Sequence, residues 1–423
     1  MRVLLVALGS DGDVEPFFAL AGRLQQAGHS PLVATGERFI ARAAALGIPA
    51  VRVGPPWDER EADQSFGKVL RHRNPLRQVG QVIHLMRDLQ LSVLDELLAL
   101  ARDTDVVLHA PITVVGAAVA RKLGKPHVSV HLVPMVRGER YAPHGANLGR
   151  PLNRALWSLT AALLARASDR ELNRVVSAAG LAPWHDILLE GARSSVLDLI
   201  AVSPQLMSPD PAWSPATRVT GYWFVPEPNF EPEPALERAM RDAPVVIGFG
   251  SMMGFDARAV TERIVSAVKG LDRSVVIQAG WARLGGVALP ANVHVAGFVP
   301  HAWLFQRAAC VVHHGGAGTI GAALRAGIPQ AIVWHVGAMP VWDRKLVELG
   351  VAPKPRAHHD MSARWLRRTI ERMLHDPHMQ ESARRVGRLV RAEDGLTDSV
   401  RAIEALVAGG TASPQPRAAS ASA

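Results

Sequence analysis

The sequence predicts an α/β fold: two doubly wound, Rossmann-like domains facing an interdomain cleft. Short apolar strand patterns alternate with helical ones along the chain, and the alternation stops at one proline-rich stretch and then restarts. The length, 423 residues, is too great for one ordinary core and agrees with two.

In the first half, strand patterns fall at 2–8, 31–35, 50–53, 105–109, 127–132 and 198–202. Helical patterns fall at 15–28, 37–46, 75–102, 113–123 and 151–179. The opening run, Met1 to Leu8, is too short and too soon ended by Gly9 to be a secretory leader, and reads as a buried first strand. No run of about 18 uncharged apolar residues suggests a membrane span, so the cytoplasm is the expected compartment.

Residues 203–234 then hold eight prolines, from Pro204 to Pro234. Proline removes backbone donors and stiffens the chain, which marks a linker at 206–235 between a first domain, 1–205, and a second, 236–393. In the second domain, strands are expected at 244–249, 274–279, 292–296, 309–313 and 330–334. Helices are expected at 256–270, 301–307, 317–326, 340–349, 362–375 and 377–392. A last helix, 394–408, is placed to return and brace the first domain, and 409–423 has the composition of a disordered tail.

Hydrophobic residues make up 48% and charged residues 20%, the balance of a soluble globular chain. The net charge of +9 is carried mostly by arginine, much of it in 356–401. No cluster interleaves arginine with aromatics as a nucleic-acid surface does, so nucleic acid is not the expected partner. The charge suits an anionic small ligand, or at most a peripheral contact with an anionic membrane. The lone cysteine, Cys310, lies in an apolar strand and reads as buried and inert.

The strand at 309–313 runs into His314-Gly315-Gly316-Ala317-Gly318-Thr319, where a helix opens. Glycines let a ligand approach the backbone, and a helix N-terminus offers unpaired amides and the positive end of its dipole. Thr319 adds a hydroxyl, and the His314 ring is placed to donate to a phosphate oxygen. The turn lacks the lysine of a P-loop and the spacing of a dinucleotide fingerprint, so alone it also fits an unliganded strand-to-helix turn. Gly248-Phe249-Gly250-Ser251-Met252 is a second glycine turn at a strand end of the same domain, and two such turns at one edge of a sheet lead us to expect a single anion pocket.

Around these turns the sequence resembles a known family. Gly280-Trp281, Leu289 to Val293, Val299-Pro300-His301-Ala302-Trp303-Leu304-Phe305, His313 to Thr319 and Leu324 to Gln330 resemble, in order and spacing, the donor half of GT-B glycosyltransferases. The likeness is to bacterial natural-product glycosyltransferases of the vancomycin and macrolide type, and to sterol and rhamnolipid glycosyltransferases. The start, Gly9-Ser10-Asp11-Gly12-Asp13-Val14-Glu15-Pro16, resembles their N-terminal motif, while 55–200 is only loosely alike.

The resemblance implies a GT-B enzyme that inverts the anomeric centre by direct displacement, with a TDP- or UDP-sugar as co-substrate and no metal or other cofactor. It implies that His314, Gly315, Gly316, Ala317, Gly318 and Thr319 hold the diphosphate with Ser251, and that Trp281, Phe298 and the Val299 backbone hold the nucleobase. Trp281 and Phe298 also fit an ordinary core. His301 and Trp303 read as structural, and His358-His359-Asp360 as a solvated loop.

Asp13 is the expected catalytic base, facing the cleft from the turn after the first strand. An Asp there also suits a helix N-cap, and capping lowers a carboxyl pKa and weakens the base. Asp11 reads as an exposed neighbour. His131 and His109 end later strands of the same sheet, where either assists the base or is structural.

One departure stands out. The family's Asp-Gln pair, which binds sugar hydroxyls, is replaced by Ala338-Met339 before Pro340-Val341-Trp342. Burying an unpartnered sugar hydroxyl costs about 1–3 kcal/mol. The replacement therefore points to a deoxy or less polar sugar, to His335 or Asp343 taking over the contacts, or to lost transfer.

Apolar helices at 75–102 and 151–179 suggest an apolar natural product or lipid as acceptor, with His131, Met86 and Met135 at its pocket and the stretch 134–151 as a lid. Other readings are a non-catalytic activator of a second glycosyltransferase and a nucleotide-sugar epimerase of the same fold. Monomer and homodimer are both compatible with the sequence.

Overall fold

The computed structural model describes residues 1–409 except 57, 59–63, 66, 70–74, 134, 227–229, 253–254, 282 and 336–339. The first sheet contains β1 (Arg2–Ala7), β2 (Ser30–Thr35), β3 (Ala50–Arg52), β4 (Val106–His109), β5 (His127–His131), β6 (Asp198–Ile200) and β7 (Thr217–Val219). The second contains β8 (Val245–Gly248), β9 (Val275–Gln278), β10 (Val293–Ala296), β11 (Cys310–His313), β12 (Gln330–Trp334) and β13 (Arg356–Ala357). All strand pairings among the described residues are parallel, as helical crossovers require, and the strands are apolar because helices cover both faces.

The strand orders are β3-β2-β1-β4-β5-β6-β7 and β10-β9-β8-β11-β12-β13. Each reverses direction once, between β1 and β4 and between β8 and β11, and ligands of such sheets bind at the carboxyl ends beside that reversal. In the second sheet His313 pairs with Gly248 at the ends of β11 and β8. That register puts the two glycine turns, 248–252 and 314–316, side by side.

Two boundaries differ from the sequence reading. β7 lies inside the expected linker, so the first domain continues to about residue 220. Its residues Thr217 to Val219 make too short a run to stand out among the prolines. Helix Asp11–Gln26 begins four residues before the expected 15–28, because Ser10, in extended conformation, is its N-cap. The short helix Pro234–Ala239 closes the same proline-rich stretch.

The chain crosses between the domains near 220–225 and again near 391–395. These segments touch backbone to backbone: a Cβ on Gly395 would lie 2.6 Å from the Gly221 carbonyl oxygen, and Gly221 has φ +98°. The final helix, Gly395–Val407, packs on the first domain. Val400, Ala402 and Ile403 join its core, and Trp223 Nε1 donates to Ser399 Oγ at 3.0 Å. Cys310 is buried, and burial pushes its thiol up to about 12. Residues 410–423 of the expected tail lie outside the described residues.

Candidate active site

A cavity of about 1150 Å³ lies between the carboxyl ends of the two sheets. The first domain contributes Ser10 to Asp13, Arg38, Arg42, Leu132 and Val133; the second contributes both glycine turns, Trp281, Phe298 and Val299.

β11 delivers the main turn. His313 donates from Nε2 to Gln330 Oε1 and accepts from the Gly315 amide on Nδ1, each at 3.0 Å, which fixes the turn from beneath. Gly315 has φ +91°, and a Cβ there would meet Ile332 Cγ2 at 3.0 Å, so the position needs glycine. Gly316 caps helix Ala317–Ala326, leaving the amides of Ala317, Gly318 and Thr319 without intrahelical partners at the cavity wall. The His314 ring lies over this N-terminus. Its Nδ1 is buried with no hydrogen-bond partner among the described residues, and burial lowers its pKa to about 4, leaving a neutral imidazole.

The second glycine turn packs on the first. A Cβ on Gly250 would come within 2.8 Å of the His314 ring, and the Gly250 carbonyl accepts from the Trp281 amide at 3.0 Å. Ser251 is buried on the cavity wall. Phe298 is 69% exposed and faces the cavity, which is not the environment of a core aromatic. The Val299 side chain is buried, and its carbonyl accepts from Gln278 Nε2 at 2.9 Å.

Trp281 is tied across the cleft. Its indole Nε1 donates to Asp11 Oδ2 at 2.8 Å, and the Arg38 guanidinium lies 3.7 Å from its ring centroid. Asp11 is therefore not the freely exposed neighbour the sequence suggested. Burial raises its pKa, against the opposing pull of Arg38, the Trp281 hydrogen bond and Arg42. Arg42 approaches the Phe298 ring at 5.5 Å and pairs with Glu15 at 3.0 Å.

Asp13 is the third residue of helix Asp11–Gln26, not its N-cap. Its Oδ2 accepts from the Ser10 amide at 2.8 Å and from Ser10 Oγ at 2.9 Å. Burial outweighs both bonds and raises the carboxyl pKa, opposite to the capping expectation. Gly9, at φ +133°, leaves room for this carboxylate: a Cβ there would lie 2.5 Å from Oδ2.

His131, Met86 and Met135 are not among the residues lining this cavity. His131 is buried and bonds Asp198 Oδ1 at 2.7 Å. Against the upward push of burial, His131 and Arg193 hold the Asp198 carboxyl below its ordinary range. His109 bonds His127 at 3.0 Å inside the sheet, and burial lowers it to about 4. Met135 packs near Trp157 and Leu189, and Met86 is half-buried on helix Pro75–Ser92. The expected lid is pinned: Asp210 Oδ2 accepts from the Glu139 and Arg140 amides at 2.9 and 2.7 Å.

Ala338 and Met339 lie outside the described residues. On either side of them, His335 is buried and donates from Nδ1 to the Val333 carbonyl, while burial raises Asp343 to about 6 on the cavity wall. Sequence reasoning missed Gln278, Arg38, Arg42 and Glu393, whose placement depends on packing between distant segments. Among the described residues, no group of three His, Cys, Asp or Glu is arranged to hold a metal.

Residues 22–164 match the N-terminal-domain model, and residues 262–406 the C-terminal-domain model, of erythromycin biosynthesis protein CIII-like proteins. Over 95% of its length the chain is 29% identical to a sterol 3-beta-glucosyltransferase of Pichia angusta and 28% to one of Emericella nidulans. The chain spans about a third of the length of these curated relatives, 33% and 30%. Among solved structures, the glycosyltransferase SnogD from Streptomyces nogalater superposes with a TM-score of 0.67 at 25% identity, covering 96% of this chain and 99% of that one. The glycosyltransferase VinC in complex with dTDP gives 0.68 at 21% identity, covering 97% and 100%. The fold is GT-B.

Proposed function

The chain belongs to the erythromycin biosynthesis protein CIII-like family, and on that premise we propose that it is an inverting glycosyltransferase. It moves a sugar from a nucleoside diphosphate to a hydroxyl of an apolar natural product or lipid. One observation carries this reading: the Asp13 carboxylate and the open N-terminus of helix Ala317–Ala326 share one cavity, from opposite domains.

Asp13 takes the proton of the acceptor hydroxyl as its oxygen attacks the anomeric carbon. The raised pKa brings this carboxylate closer to the operating pH, which suits a general base. The bond from that carbon to the diphosphate breaks on the opposite face, so the configuration inverts and no covalent enzyme intermediate forms. Charge developing on the diphosphate meets the amides of Ala317, Gly318 and Thr319 and the neutral His314 ring. This leaves no task that requires a metal.

The exposed ring of Phe298 offers a stacking face for the nucleobase, with the Val299 backbone beside it. The bound dTDP of VinC and the replacement of the Asp-Gln pair by Ala338-Met339 support a TDP-deoxysugar donor. Phe39, Leu132 and Val133 give the acceptor side an apolar wall.

The test is a panel of TDP- and UDP-sugars scored by thermal shift and by product mass. Stabilisation by a nucleoside diphosphate, lost in His314→Ala, is expected. No stabilisation by any of them overturns the reading.

A further inference from the structure

The long helix Arg150–Ala178 is apolar on two faces. Its inner face buries Trp157, Ala161, Leu172, Val175 and Val176 in the first domain. On the opposite side Leu152, Leu156, Leu159, Leu163, Arg166 and Arg170 follow one another at helical spacing and form a single stripe. Leu152, Leu159 and Leu163 are 49%, 57% and 42% exposed, and Leu148, just before the helix, is 47% exposed. Scattered exposed leucines are ordinary on a soluble protein; several aligned on one helix mark a surface that something covers.

The charges select the occupant. Arg166 and Arg170 are exposed, and no ion pair joins either to an acidic group among the described residues. They extend the leucine stripe with positive charge on a chain of net charge +9. A second copy packed antiparallel on the stripe would set these arginines against leucines or one another. An anionic lipid surface accepts both parts, leucines in the acyl boundary and guanidinium groups among the headgroups. No described helix is long and apolar enough to cross a membrane, so the contact is one of lying on the surface.

We propose that the outer face of helix Arg150–Ala178 docks the protein on anionic membrane surfaces through its leucine stripe and Arg166 and Arg170. Docking gives the first domain access to acceptors dissolved in the bilayer. That consequence rests on the apolar-acceptor reading above; the docking does not, and it is measured without donor or acceptor.

The experiment is flotation of the full chain with vesicles of phosphatidylcholine alone and of phosphatidylcholine with phosphatidylglycerol. Binding to the phosphatidylglycerol vesicles, weakened by added salt, is expected. Arg166→Ala with Arg170→Ala lowers that binding about thirtyfold, from roughly 1 kcal/mol per surface arginine. Leu159→Ser with Leu163→Ser abolishes it, while circular dichroism melts of both variants match the parent. Failure of the parent to float with anionic vesicles overturns the proposal. So does equal binding by the folded variants, or a parent dimer in sedimentation that the leucine variant dissociates. Loss of sugar transfer with vesicle binding intact would count against the proposed reaction and not against docking.

Discussion

Trp281 Nε1 in the second domain donates a 2.8 Å hydrogen bond to Asp11 Oδ2 in the first, two residues from the proposed base Asp13. The Trp281 amide in turn bonds the Gly250 carbonyl, and a Cβ on Gly250 would come within 2.8 Å of the His314 ring. A continuous packed route therefore runs from the turn of Asp13 to the glycine turn at 314–316. Through it, the Asp13 turn and the 314–316 turn are tied together across the cleft.

Trp281→Phe keeps the aromatic surface under Arg38 and removes the donor. A hydrogen bond to a charged group contributes about 1.5–3 kcal/mol, so donor KM is expected to rise about tenfold or more. Asp11→Asn should behave alike. In a double-mutant cycle the two changes should couple rather than add. Full additivity in steady-state kinetics would show that the bond does not link the domains.

Much of this fold was legible in the sequence because strands such as Val245–Gly248 and Cys310–His313 begin as apolar runs and lead into glycine turns. The glycine turn at 314–316 was legible for the same reason: its geometry is local, set by Gly315 and the helix that follows. The Asp11–Trp281 bond was not, since its partners are 270 residues apart and meet only where the two domains come together. His131 failed in the other direction. Its position at a strand end suggested the cleft, but the alternation of the strand turns it inward to Asp198.

Asp13→Asn should lower kcat by about 10²–10⁴ with nucleotide affinity unchanged, the usual contribution of a general base. Because burial raises the Asp13 pKa, the acid limb of kcat/KM should lie above the ordinary carboxylate value of 3.8. Ser10 Oγ and the Ser10 amide pull the other way. Ser10→Ala removes the Oγ hydrogen bond and should move the acid limb further up in pH. A limb that does not move in pH–rate profiles would mean that another group accepts the proton.

Glu393 sits where the chain crosses back between the domains. Its Oε1 accepts from Ser203 Oγ at 2.6 Å, while Oε2 is buried without a partner among the described residues. Burial raises its pKa from 4.5 to about 7. The folded state then holds the proton more tightly than the unfolded one between these values, so stability falls as pH rises through that window and levels off above it. Glu393→Gln should remove that part of the fall. Thermal melts of parent and variant across the window check it: parallel curves would mean that the group does not titrate as placed.

The last expectation concerns the sugar. Glutamine at 339 would restore a hydrogen-bonding side chain where the family carries one and this chain has methionine. A hydroxyl that gains a hydrogen-bond partner regains about 1–3 kcal/mol, roughly five- to 150-fold in donor preference. Met339→Gln should therefore move preference from a deoxysugar donor towards glucose, read as the ratio of kcat/KM values in competition. Asp343 supplies the internal comparison. It lines the cavity, and burial raises it to about 6, so its carboxyl gains and loses a proton near neutrality. If Asp343 carries the polar contacts that the missing pair would have made, Asp343→Asn should alter the donor ranking and its pH dependence near 6, while Met339→Gln alone leaves the ranking unchanged. The two variants thus separate a pocket built for fewer hydroxyls from one that reads them with a different residue.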